Sequence, residues 1–96
     1  MRLRYTPRAL AELEQILADI TVHSPQGASR VQARIQNITD LLLRHPRAGQ
    51  LTNLSMRRII VTPYPYLIFY EPTDDEVVIV GVRHSARDPS SMPGQS

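Results

Sequence analysis

Two pairs of residues, Thr6-Pro7 and Ser24-Pro25, constrain the first half of the sequence more than any other feature. In each pair, a hydroxyl side chain that can cap a helix precedes a proline, and proline is favoured at the first helical position. Apolar residues follow each pair at the spacing of one helical face. The sequence therefore predicts two amphipathic helices, one beginning after each cap.

The first predicted helix runs from about Pro7 to Val22, and the second ends near Arg44 because Pro46 cannot continue it. Almost no sequence separates the two helices, and so short a connection makes neighbouring helices antiparallel. We therefore expect a helical hairpin. The apolar positions expected to face the sheet include Leu13, Leu17, Ile35 and Ile38.

The spacing of apolar residues becomes strand-like in the second half of the chain. Arg47–Ser55 is predicted to be a loop, because its residues follow no period. Strands are predicted at Arg58–Val61, Tyr66–Glu71 and Val77–Arg83, and the short turns between them indicate an antiparallel meander. A further short strand, Arg2–Tyr5, precedes the first helix.

The predicted order of elements is therefore β-α-α-β-β-β. It indicates an α+β domain in which the helical hairpin packs on one face of a small, mainly antiparallel sheet. The opposite face of the sheet is the expected working surface. A chain of 96 residues can bury one modest core, so residues 1–84 are predicted to form a single domain. Residues 85–96 are expected to form a loosely ordered tail.

All eleven basic residues are arginines, and the formal net charge is +2. Genomic base composition is the simpler explanation, but arginines also suit an acidic partner or nucleic acid. The absence of cysteine excludes disulfides, thiolate metal sites and cysteine nucleophiles. Neither a signal peptide nor an apolar run of about 20 residues is present, so a cytoplasmic protein without membrane association is expected.

Three stretches of the sequence resemble a known superfamily. They are residues 5–13, then Arg57–Ile59 with Pro65–Glu71, and finally Val77–Pro89 with its ending His84-Ser85-Ala86-Arg87-Asp88. In this order they resemble the RelE/ParE toxins of bacterial type II toxin–antitoxin systems, and they cover most of the chain. The resemblance implies a toxin that a cognate antitoxin protein neutralises. Operator DNA would be bound only through that antitoxin.

The resemblance implies one of two targets, because RelE-like toxins cleave mRNA on the ribosome and ParE-like toxins poison DNA gyrase. The sequence has no lysine, carries Tyr66 where RelE-like chains have an arginine, and lacks a tyrosine near its C-terminus. These departures favour the ParE-like branch, in which the protein binds gyrase and is not itself an enzyme. A RelE-like endoribonuclease and a degenerate member that only binds its antitoxin are the alternatives.

The resemblance also implies a set of candidate site residues. The candidate working surface consists of Arg58, Tyr66, Arg83, His84 and Arg87. For a ribonuclease, the catalytic set would be Arg58, His84 and Arg87, since cleavage needs proton transfer and a cation for the phosphorane. Structural roles are the alternatives, in which His84 is hydrogen-bonded to the adjacent loop and Arg87 is paired with Asp88.

The remaining chemistry-bearing residues suggest no further site. The aromatic side chains either pack in the core or form a platform for stacking bases; they are Tyr64, Tyr66, Phe69 and Tyr70. The acidic run Asp74-Asp75-Glu76 has no second set of ligands and is predicted to be a solvated turn. No metal or cofactor is expected.

Overall fold

The computed structural model describes residues 1–53 and 55–87 of the chain. Its elements in chain order are β1 (Arg2–Tyr5), α1 (Pro7–His23), α2 (Pro25–Arg44), β2 (Gln50–Asn53), β3 (Met56–Ile60), β4 (Tyr66–Pro72), β5 (Glu76–His84) and a 3-10 turn (Ser85–Arg87). Within the described residues, the strands form one sheet in the order β1-β5-β4-β3-β2. Strand β1 pairs parallel with β5, and the other pairs are antiparallel. The predicted α+β fold is therefore confirmed.

The two predicted caps begin the helices as expected. The Thr6 hydroxyl accepts a hydrogen bond from the Ala9 N–H at 3.1 Å, and the Ser24 hydroxyl accepts one from the Gly27 N–H at 2.9 Å. Ser24 also ends α1, because its backbone is extended (φ −159°, ψ 96°), although its N–H still donates the last helical bond to the Ile20 carbonyl at 2.7 Å. One residue thus closes α1 and caps α2, which forces the chain into a helical hairpin.

The prediction that residues 47–55 form only a loop was wrong, because this segment contains β2. Gln50 lies opposite Arg58 and Leu51 opposite Arg57 in an antiparallel pair at the edge of the sheet. All the residues of β2 are exposed, so neither side of the strand requires apolar residues. Backbone pairing with β3 forms this strand, and such pairing leaves no hydrophobic period in the sequence.

The predicted tail of residues 85–96 begins with ordered backbone. Ser85–Arg87 forms the 3-10 turn, and the Ser85 N–H donates to the Pro65 carbonyl at 2.8 Å. Residues 88–96 lie outside the described residues, and the tail prediction for them stays a prediction.

Strand register assigns the side chains of the sheet to two faces. Ile68, Tyr70, Ile79 and Val82 belong to one core cluster with Val31, Ile35, Ile38 and Leu42 of α2. These sheet residues define the helix-side face. Because side chains alternate along a strand, Leu67 and Phe69 lie on the opposite face. Their cross-strand neighbours share that face, named the far face, which carries Arg58, Ile60, Leu67, Phe69 and Arg83.

The hydroxyl of Tyr70 ties the end of the hairpin to the sheet. It donates to the Pro46 carbonyl and accepts from the Gly49 N–H, both at 2.8 Å. Burial raises the pKa of this phenol, although the Gly49 bond and the charge of Arg57 act in the opposite direction. Gly49 must lack a side chain, because a Cβ there would lie 2.6 Å from the Tyr70 hydroxyl.

Replacing Tyr70 with phenylalanine should lower the free energy of unfolding by about 1–3 kcal/mol, because two backbone groups lose their buried partner. Urea denaturation measures this change. The control is Tyr64→Phe, since within residues 1–53 and 55–87 the Tyr64 hydroxyl makes no hydrogen bond. Equal losses in the two variants would contradict the role given to the Tyr70 hydroxyl.

The two helices differ in how deeply their apolar residues are buried. Ile38 of α2 is 2% exposed, whereas Leu17 of α1 packs against the core but is only partly buried. Ile38→Ala should therefore cost about 2–5 kcal/mol, and Leu17→Ala clearly less, because fewer of its atoms leave water on folding. Thermal unfolding of both variants checks this order, and a larger loss for Leu17→Ala would show that the helix faces are misassigned.

Candidate functional site

The start of β4 and the end of β5 bring two predicted site residues together. Tyr66 lies opposite His84, with ring centroids 5.5 Å apart and ring planes at 85°. Tyr66 lies an even number of residues from Ile68 and Tyr70 in the same strand, so its side chain shares their face. The rings of Tyr66 and His84 therefore both lie on the helix-side face. The Ala86 N–H donates to Nδ1 of His84 at 3.1 Å. This bond matches the structural alternative in which His84 binds the adjacent loop.

The two predicted arginines of the strands lie on the far face. The guanidinium carbon of Arg83 lies 5.2 Å from the centroid of the Phe69 ring. Arg58 lies opposite Phe69 in the sheet, and its Nη2 donates to the Gln50 side-chain oxygen at 3.4 Å. The Arg83 guanidinium therefore lies over the face of Phe69, which attracts positive charge, and Arg58 is the neighbour of Phe69 on the adjacent strand.

The five predicted site residues therefore do not share the far face. Arg58 and Arg83 lie on it, whereas Tyr66 and His84 lie on the helix-side face. Arg87 belongs to the 3-10 turn that follows β5, and its side chain lies outside the described part of the chain.

Arg57, whose face the sequence leaves open, is on the helix-side face opposite Tyr70. Its Nη1 donates to the Gly49 carbonyl at 2.8 Å and to the Arg47 carbonyl at 3.3 Å. Arg57 thereby holds the connection between α2 and β2 from the same side as the Tyr70 hydroxyl.

The aromatic side chains do not form one stacking platform. Tyr70 is fully buried, and Tyr64 and Tyr66 pack against the core on the helix side. Phe69 lies on the other face beneath Arg83. The rings therefore divide between the two faces of the sheet, and none forms an exposed platform, because Phe69 is also buried, with 6% of its surface exposed.

Glu12 of α1 is a residue of this region that the sequence analysis missed. Its Oε1 accepts from the Val82 N–H at 3.1 Å, and its Oε2 lies 3.6 Å from Nε of Arg83. Glu12 also lines a cleft of about 310 Å³ between α1 and the end of β5, which His84 borders. The sequence shows Glu12 only as a polar residue beside an apolar stripe. No local pattern in the sequence points to this contact, because Glu12 and Val82 lie 70 residues apart in the chain.

The described residues contain no group of three or more histidine, cysteine, aspartate or glutamate side chains placed to hold a metal ion. Asp74 and Asp75 lie exposed in the turn between β4 and β5. Among the helices of residues 1–53 and 55–87, none is long and apolar enough to cross a membrane.

The sequence matches the model of one protein family and is similar to two known relatives. Residues 3–89 match the model of the ParE toxin of the type II toxin–antitoxin system parDE. Toxin RelE2 of Caulobacter vibrioides is 40% identical over 83 residues, which cover 86% of this chain and 93% of the relative. Putative toxin Y4kP of Sinorhizobium fredii is 38% identical over 85 residues, which cover 88% of each chain.

A solved structure shares the fold. A chain of the chromosomal ParDE toxin–antitoxin system from P. aeruginosa superposes with a TM-score of 0.74 at 20% sequence identity. The match covers 88% of this chain and 95% of that one. At this identity the comparison supports the arrangement of helices and strands.

The bond from Ala86 fixes the proton of the neutral His84 ring on Nε2, because Nδ1 is the acceptor. The imidazole ¹⁵N shifts should therefore show His84 as one Nε2–H tautomer. His23 is the control, since it is exposed and its ring has no partner within residues 1–53 and 55–87. It should show mixed tautomers. A mixture at His84, or a proton on Nδ1, would contradict the geometry.

Proposed function

Because the chain belongs to the ParE toxin family of type II toxin–antitoxin systems, we propose that it inhibits growth by binding DNA gyrase. As a toxin of such a system, it has an antitoxin protein as its partner. The observation that carries the choice of target is the strand register, which separates the candidate catalytic residues Arg58 and His84.

A ribonuclease needs its proton-transfer groups and its phosphate-binding cation around one scissile bond. Arg58 lies opposite Phe69 on the far face, whereas His84 lies opposite Tyr66 on the helix-side face. The sheet itself stands between the two side chains. Tyr66 packs against the core and supplies no cation where RelE-like toxins carry an arginine. These positions support a toxin that acts by binding.

A toxin that acts by binding needs a shaped surface with groups that suit its partner. The far face combines the cations Arg58 and Arg83 with the apolar side chain of Ile60, which is 48% exposed. Arginine and apolar side chains together are typical of the energetically important parts of protein interfaces. We therefore assign gyrase binding to the far face.

The antitoxin has a separate surface available. A groove of about 250 Å³ runs between the helices above β1, with Leu3, Tyr5, Leu13 and Ile35 among its lining residues. Strand β1 is also an edge of the sheet. A disordered antitoxin segment can fold into such a groove as a helix, or add to such an edge as a strand. Arg2 of β1 is exposed at this edge and suits acidic residues of a segment added there as a strand, whereas Arg4 is already paired with Glu76.

A RelE-like ribonuclease is the second candidate, since the relative from Caulobacter vibrioides is named RelE2. For that activity His84 would transfer the proton, and it would first have to give up its bond from the Ala86 N–H, because the neutral ring that accepts there already carries its proton on Nε2. Loss of a proton-transfer group typically costs about 10²–10⁴-fold in rate, so a His84→Ala variant would lose mRNA cleavage.

The two targets are separated by inducing the protein in cells without its antitoxin. We expect a DNA-damage reporter to rise while primer extension finds transcripts intact, because gyrase poisoning breaks DNA and leaves RNA unaffected. Arg83→Ala should weaken the reporter response, and His84→Ala should leave most of it. Codon-positioned mRNA cuts that disappear in His84→Ala would refute gyrase binding and establish the ribonuclease.

A further inference from the structure

Strand β5 extends beyond the strand that pairs with its outer edge. Residues Glu76–Ile79 pair with β1, but β5 continues to His84. Beyond Ile79 the chain of β1 has turned into α1, and the Thr6 N–H makes the last backbone bond to the Ile79 carbonyl, at 2.9 Å. The outer edge of the last part of β5 therefore faces a helix, and its backbone groups need another partner.

The carboxylate of Glu12 provides that partner. Its Oε1 accepts from the Val82 N–H at 3.1 Å, a charge-assisted bond to the edge of the strand. Its Oε2 lies 3.6 Å from Nε of Arg83 and 3.7 Å from Nε of Arg8. Only 25% of the Glu12 side chain is exposed, so the carboxylate is partly shielded from water. One carboxylate thus joins α1, the edge of β5 and a cation of the far face.

Arg83 is held on two sides by these contacts. Glu12 lies beside its Nε, and Phe69 lies beneath its guanidinium at 5.2 Å. The ion pair also closes over Gly81, since a Cβ built there would be in ordinary van der Waals contact, 3.4 Å from Oε1 of Glu12 and 3.6 Å from Nε of Arg83. The Arg83 side chain is nevertheless 41% exposed, so its guanidinium stays accessible to a partner.

We propose that Glu12 is a positioning residue of the toxin surface, which fixes the guanidinium of Arg83 over Phe69 ready for the target. The proposal rests on the proposed function in one respect, namely that Arg83 contacts the target. A preorganised arginine loses less conformational freedom on binding than a mobile one, so the ion pair should strengthen target binding without touching the target.

The test separates the charge of Glu12 from its hydrogen bond to the strand. Glu12→Gln keeps an oxygen that can accept from the Val82 N–H, but it removes the charge that holds Arg83. The matched control is Glu14→Gln on the same helix. Glu14 is exposed and has no hydrogen bond or ion pair within residues 1–53 and 55–87.

The effect of each substitution on toxicity is measured as the amount of protein needed for half-maximal growth inhibition. The protein level is therefore quantified in each culture. Glu12→Gln should require about two- to fivefold more protein for half-maximal inhibition, the factor expected from losing a partly exposed ion pair. Glu14→Gln should match the parent. In an Arg83→Ala background, Glu12→Gln should have no further effect, because residues that act through one contact are not additive. Additive effects would show that Glu12 acts independently of Arg83 and would overturn the proposal.

Two-dimensional ¹H–¹⁵N NMR of the purified protein gives a readout that does not depend on the target. Exchange of the Arg83 Hε proton with water should be slow in the parent and in Glu14→Gln, and faster in Glu12→Gln. Unchanged exchange would overturn the proposal. If Glu12→Gln does not fold, Glu12→Asp takes its place, because its shorter side chain keeps the charge but draws it away from Arg83.

The two proposals fail in distinguishable ways. A parent protein that inhibits growth but leaves purified gyrase unaffected would refute the gyrase target, while the growth and exchange measurements still judge Glu12. A parent protein that does not inhibit growth would refute the toxin function, and Hε exchange alone would then decide whether Glu12 holds Arg83.

Discussion

The packing of the helical hairpin against one face of β4 and β5 decides where every side chain of the sheet can point. Once Ile68 and Tyr70 pack against α2, alternation directs Phe69 to the other side of the sheet. The strand register then places Arg58 on the same face as Phe69, and His84 on the same face as Tyr66. The placement of Arg58 and His84 on opposite faces of the sheet is thus a consequence of core packing.

Much of the fold is predictable because its signals are local. Thr6 and Ser24 cap the helices, and the prolines after them set the starts, so the sequence locates the hairpin to within a residue or two. The apolar runs likewise identify β3, β4 and β5. Strand β2 is different, because its polar, exposed residues have no period and its formation depends on pairing with β3.

The candidate site is less predictable because it depends on register and on contacts distant in sequence. Alternation alone separates Arg57 from Arg58 but cannot say which one faces the helices. The answer comes from the pairing of Arg57 with Tyr70, whose hydroxyl holds the connection after α2. Glu12 lies 70 residues from Val82 in the chain, so no local pattern marks their hydrogen bond. The family resemblance supplies candidate residues, and the sheet determines which of them can act together.

The most direct test of the central claim, that this toxin acts by binding gyrase, uses purified components. Gyrase, supercoiled DNA and ATP are incubated with increasing toxin, and enzyme-linked double-strand breaks are counted after denaturation. In parallel, the toxin is added to ribosomes that carry a defined mRNA. If the toxin acts on gyrase, the number of breaks rises with toxin concentration while the mRNA stays intact. Cleaved mRNA without DNA breaks would contradict the claim.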